Sequence, residues 1–156
     1  IANRINNIDS SSDVFPTTDY NPSTDPFGDD NVAIYITKKI ALENPATSIK
    51  CFFAGHKKTT AEFKVLFKIL RSDQSEDFDD IGYEFFNTTG IPDKTVAASL
   101  DQEDFQDYLY TAGVTDDGIG EPLPEFAQFS IKIVMQGTDA ANPPRIKDLR
   151  VIALAT

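Results

Sequence analysis

The side chains able to do acid–base, nucleophilic or metal chemistry are few. His56 is the only histidine and Cys51 the only cysteine of the 156 residues. One of each makes neither an internal disulfide nor a Cys/His zinc site. A histidine acting as general base needs an orienting carboxylate and a substrate, and Gly55-His56-Lys57-Lys58 reads instead as a strand-to-strand turn with a solvated imidazole. Cys51 falls on the apolar side of an alternating run, where an inert buried thiol is expected. A Cys51–His56 dyad would need an electropositive, accessible setting that this stretch does not offer.

Carboxylates are abundant and clustered: Glu76, Asp77, Asp79 and Asp80; Asp101, Glu103 and Asp104; Asp116 and Asp117. Such groups are read first as solvated loop charge. Paired acids flanking a cleft could hydrolyse a glycosidic bond, and loop acids could hold calcium through oxygen ligands, but no EF-hand spacing occurs. Asn87-Thr88-Thr89 fits the N-glycosylation pattern, a short triplet that chance supplies often. Neither common glycine-rich phosphate loop is present. No metal or cofactor is expected, and no enzymatic activity.

Composition narrows the classes further. Lys and Arg number 14 against 25 Asp and Glu, a formal charge of −11, which opposes contact with a nucleic-acid backbone. No apolar run approaches the roughly 20 residues that cross a bilayer as a helix. The length suits one domain able to bury roughly 70% of its unfolded surface without disulfide or metal support. The first residue is Ile1, which suggests a processed or excised piece of a longer protein.

The elements that must position these residues read as strands. Val32-Ile34-Ile36 alternates and continues to Ile40 and Leu42 before Glu43-Asn44-Pro45 breaks it. Ile49-Cys51-Phe53, Phe63-Val65-Phe67-Ile69 and Phe129-Ile131-Ile133-Met135 each place one apolar set on a single face. Tyr83 to Phe86 and Phe105 to Thr111 give two shorter runs. Residues 146 to 154 are apolar on both faces, which suggests a central strand or one covered by another part of an assembly. Seven strands without a convincing helix, heptad or long repeat predict an all-β domain over residues 32–156, an antiparallel β-sandwich of jelly-roll kind.

Residues 1–31 differ. A polar run at Asn6 to Asp13 is followed by Pro16, Pro22, Pro26 and Gly28, yet Ile1, Ile5, Ile8, Phe15, Tyr20 and Phe27 are scattered through it. The expectation is an extended arm or linker whose apolar residues are assembly anchors on a surface.

Most of the chain resembles a domain of virion structural proteins of tailed phages, myovirus-like and as in marine cyanophages. The resemblance rests on Asn3-Arg4-Ile5, Asp29-Asp30-Asn31, Ile36-Thr37-Lys38-Lys39-Ile40 and Leu42-Glu43-Asn44-Pro45-Ala46. It extends through Phe67 to Asp73, Asp77 to Asp80, Phe126 to Met135 and, most distinctively, Pro144 to Leu154. It implies a structural, β-rich tail or baseplate module in the virion, whose partners are other phage structural proteins in multiple copies. It carries no catalytic residues. The alternative is a glycan-binding module for host recognition, presented by loops 73–80 and 112–125 with Tyr83 or Tyr110 as stacking groups; the absence of Trp counts against it. Docking is expected through the apolar arm and the lysine-bearing faces (Lys38, Lys39, Lys64, Lys68, Lys132) rather than the acidic rims.

Overall fold

In the computed structural model, which describes residues 31–137, 139 and 141–155, the chain is all-β and antiparallel. The six proposed anchors from Ile1 to Phe27, and with them the arm, lie outside the described residues. Among the described residues eight strands follow in order: β1 (Asn31–Ile36), β2 (Ile40–Ala46), β3 (Ser48–His56), β4 (Ala61–Arg71), β5 (Glu84–Phe85), β6 (Gln106–Ala112), β7 (Phe126–Gly137) and β8 (Arg145–Leu154). One sheet runs β1-β7-β4-β5, with β2 also on β7; the other runs β6-β3-β8.

Alternation decides which residues meet between the sheets. On β4 and β7, Val65 pairs with Ile133, Phe67 with Ile131 and Ile69 with Phe129. On β3 and β6, Cys51 pairs with Tyr110 and Phe53 with Tyr108. Phe53 and Tyr108 both pack edge-on against Phe63 across the sheets, at 5.4 and 5.1 Å between ring centroids. Ile49, Cys51, Val65, Tyr110, Phe126 and Ile131 are fully buried there. Each such large apolar side chain contributes roughly 1.5–3 kcal/mol by leaving water. Gly55 marks a close approach between the sheets, since a Cβ would lie 3.0 Å from the rings of Phe63 and Tyr108.

Two expectations need correction. Glu43-Asn44-Pro45 does not end pairing: β2 is a separate eighth strand that carries the triplet. Ile40 and Ala41 pair with Phe129 and Gln128, the register then shifts, and Ala46 resumes opposite Phe126. An irregular edge segment tolerates a proline that a central strand would not. Between β1 and β2, Thr37 holds the break closed, its amide donating to the Ile131 carbonyl at 2.9 Å and its Oγ1 accepting from the Ile131 amide at 3.0 Å.

The second correction concerns β8. Among the described residues it pairs only with β3, so it is an edge, not a central strand. Leu149, Val151 and Ala153 face the core, whereas Arg150, Ile152 and Leu154 are exposed, as their alternation predicts. A bulge interrupts the ladder: Arg150 pairs with Phe52 and Lys147 with Ala54, leaving Asp148 and Leu149 opposite Phe53. Asp148 sits in the left-handed region at φ 57°. The extra residue brings Ile146 and Leu149, three apart, to the same inner face.

Candidate functional site

Two places gather unusual chemistry. The first is the outer face of the larger sheet. Residues 72–85 fold back over β4 and β7, and Phe78, capped into a 3-10 turn by Asp77, is buried beneath that cover. Lys68 and Lys132 are buried under it, 8% and 0% exposed, although both project from the outer face. Lys68 Nζ lies 4.4 Å from the Phe78 ring centroid and 5.0 Å from that of Tyr83, and Lys132 Nζ lies 5.1 Å from Tyr83. Cation–aromatic attraction is strongest where water is excluded. The Tyr83 hydroxyl is 3.1 Å from Ser130 Oγ, which donates to the Thr37 carbonyl at 3.1 Å. The expectation that lysine faces dock a partner fails for Lys68 and Lys132, because the chain's own aromatic loop occupies that face. Alternation alone gave no sign of it; the clue was Phe78 standing among acids.

The other predicted groups are tied into structure. His56 is buried, not solvated: its exposure is 4%, and Nδ1 lies 3.1 Å from the Asp104 carbonyl. The turn begins after it, so its ring is held against the 101–105 segment, near Phe105. Cys51 is buried among apolar neighbours, and burial pushes its thiol up to about 12. Tyr110, named as a sugar-stacking group, is fully buried, and burial drives its phenol upward as well. Its hydroxyl has no hydrogen-bond partner among the described residues.

The acids are used locally. Asp73 forms a two-point pair with Arg71, at 2.9 and 2.7 Å, which holds its carboxyl below the usual range. Asp104 is lowered by hydrogen bonds from Ser99 and Gln106, then by the charge of His56. Asp116 pairs with Lys50. Among the described residues no three His, Cys, Asp or Glu side chains come together as a metal-binding group. Asn87, in the glycosylation triplet, is exposed at φ 51° but its amide is engaged, donating to the Ile91 carbonyl at 2.9 Å and to Asp93 at 2.8 Å.

The second place is a cleft where the two sheets part. A cavity of about 680 Å³ opens between the β1–β7 side of one sheet and β8 of the other. Tyr35, Ile133 and Met135 form one wall; Ile146 and Leu149 form the opposite wall. Phe105 lies at its mouth with two cations over its ring, Lys147 Nζ at 4.2 Å and the Arg145 guanidinium at 5.1 Å. Arg145 also donates to the Gln102 carbonyl. Tyr35 is 49% exposed. Among the described residues β1 pairs only with β7, so both strands at the opening present an unpaired edge.

No family model, curated protein or solved structure matches this chain.

The cleft is therefore read from its own residues. Its walls are apolar and its rim is cationic, without the convergent polar groups that fix a small molecule in a pocket. Sequence reasoning missed it. Its β8 wall, Ile146 and Leu149, falls within the run read as apolar on both faces, but the opening itself depends on strand order, which that run does not reveal. No helix among the described residues is long and apolar enough to cross a membrane.

Proposed function

We propose that this chain is a structural module of a phage virion, associated with tail or baseplate, that works through protein–protein assembly contacts. In this reading the two sheets form a β-sandwich of jelly-roll kind and residues 1–31 are its arm. The observation that carries the reading is the apolar cleft between β1 and β8, bordered by two strand edges that are unpaired among the described residues. Unpaired edges are natural addition sites for another chain, and an exposed apolar hollow gains free energy when a partner fills it. The likeness of residues 144–154 to the distinctive segment of phage structural domains supports the same reading, because that segment builds one cleft wall.

Deletion of residues 1–27 tests it. The expected result is a protein with its β-sheet circular dichroism intact that no longer enters particles. Normal incorporation of the truncated chain would overturn the reading. A glycan array run on the full chain addresses host-glycan recognition. Binding lost on changing the exposed loop residues of 73–80 or 112–125 would replace the assembly reading with a recognition one. Tyr110 drops out of that test because it is buried.

A further inference from the structure

We infer that the cleft between β1 and β8 is the receptor for residues 1–30 of a second copy of this chain. This inference rests on the assembly reading and adds the partner and the site.

Three observations select that occupant. The first is charge. Residues 1–30 carry Asp9, Asp13, Asp19, Asp25, Asp29 and Asp30 against the single cation Arg4. Arg145 and Lys147 line the cleft beside a single acid, Asp148, and Arg150 adds a further exposed cation on the same strand. An acidic segment is steered toward this rim and away from the acidic loops 73–80 and 112–125.

The second is the match of apolar groups. The walls offer Tyr35, Ile133, Met135, Ile146 and Leu149, and the segment brings Ile1, Ile5, Ile8, Phe15, Tyr20 and Phe27. Proline at positions 16, 22 and 26 is tolerated in a segment lying along an open edge, where one side of the backbone needs no partner.

The third is reach. The segment joins the domain at Asn31, where β1 begins, and its full extension spans up to roughly 100 Å. A domain of this size is about 30–40 Å across. The segment can therefore leave its own domain and cover the cleft of a neighbour. Docked on its own domain it would join nothing; taken by the next copy, each arm makes one junction and each cleft receives one.

The test uses the full chain and two variants. The cleft variant combines Tyr35→Glu with Lys147→Glu, both exposed, so the fold is retained. The arm variant combines Ile8→Ser with Phe15→Ser. Sedimentation equilibrium over a wide concentration range should show mass rising with concentration for the parent chain. Each variant alone should associate roughly tenfold or more weakly, as loss of a central contact does. A mixture of the two should regain association and stop at a pair, since only one arm and one cleft remain intact between them.

A parent chain that stays monomeric throughout, whether its arm returns to its own cleft or seats nowhere, overturns the inference. So does association undiminished in both variants, which would place the contact elsewhere. Failure of the assembly reading looks different: the arm-to-cleft pairing would hold in solution while deletion of residues 1–27 left particle incorporation normal.

Discussion

The two lateral sides where the sheets meet are built differently. On the β5–β6 side, a 3-10 turn at Phe86–Thr88 drops Phe86 between the sheets, 4.9 Å from the Phe67 ring and 6.0 Å from that of Tyr110. Phe86 has no exposed surface, and the Gly90 amide donates to its carbonyl at 2.7 Å. Asp93 then ties the loop to β6, accepting from the Thr111 amide at 3.0 Å and from Thr111 Oγ1 at 2.7 Å. The Asp93 amide in turn donates to the Leu109 carbonyl, covering the β6 edge. Among the described residues the β1–β8 side has no such plug. Met135, Ile146 and Leu149 in its walls are half-buried, Tyr35 is exposed, and its two edges are unpaired among the described residues. Among the described residues one side is sealed by an aromatic ring and the other is apolar and open.

The sharpest way to break that contrast is truncation on each side. Phe86→Ala should cost about 3–5 kcal/mol of unfolding free energy, as a buried aromatic removed from a packed seam does. Tyr35→Ala, measured by denaturant unfolding at a concentration where the chain is monomeric, should cost under about 1 kcal/mol. Equal losses would show that the open side is as structural as the closed one.

Alkaline pH should act on the interior between the sides. Burial raises Cys51 and Tyr108 to about 12, and Tyr110 further. A raised folded-state value means that the unfolded chain releases its proton first. The stabilisation is complete below the ordinary thiol value of 9.0 and is lost as pH rises toward about 12. Urea midpoints should fall across that window, and Cys51→Val should delay the onset of the fall. A thiol reagent at neutral pH should leave native Cys51 unmodified and label it after unfolding.

Asp93→Ala should cost about 1–2 kcal/mol, because it removes the acceptor that ties the closing loop to β6. Amide exchange should then quicken at position 93 and at Thr111 while β8 is unaffected. The smallest effect belongs to the rim: Lys147→Glu should leave the melting temperature within about 1 °C of the parent and change only association.

The inner faces of β3, β4 and β7 were legible because alternation is a local property that any sheet with one buried side imposes. Which lysines would be covered was not. Lys68 and Lys132 alternate as solvent-facing residues do, and only the fold-back of Phe78 and Tyr83, many positions away in sequence, buries them. His56 was misread for a related reason, since its partner at Asp104 lies across a connection that no local pattern reveals. Residues 146–154 were read correctly as apolar on both faces. Their place at an edge depends on strand order, which pairing among distant segments decides.

The bulge at Asp148 has a further consequence, for alignment during folding. A regular edge strand can slide along its neighbour by two residues and still bury the correct face. β8 cannot, because the position opposite Phe53 requires a left-handed residue. Asp tolerates that conformation better than its neighbours. A slide in either direction would force another β8 residue into it at a cost of roughly 1–2 kcal/mol. One backbone torsion thus acts as an index mark, holding β8 in a single frame while its outer edge meets no other strand among the described residues.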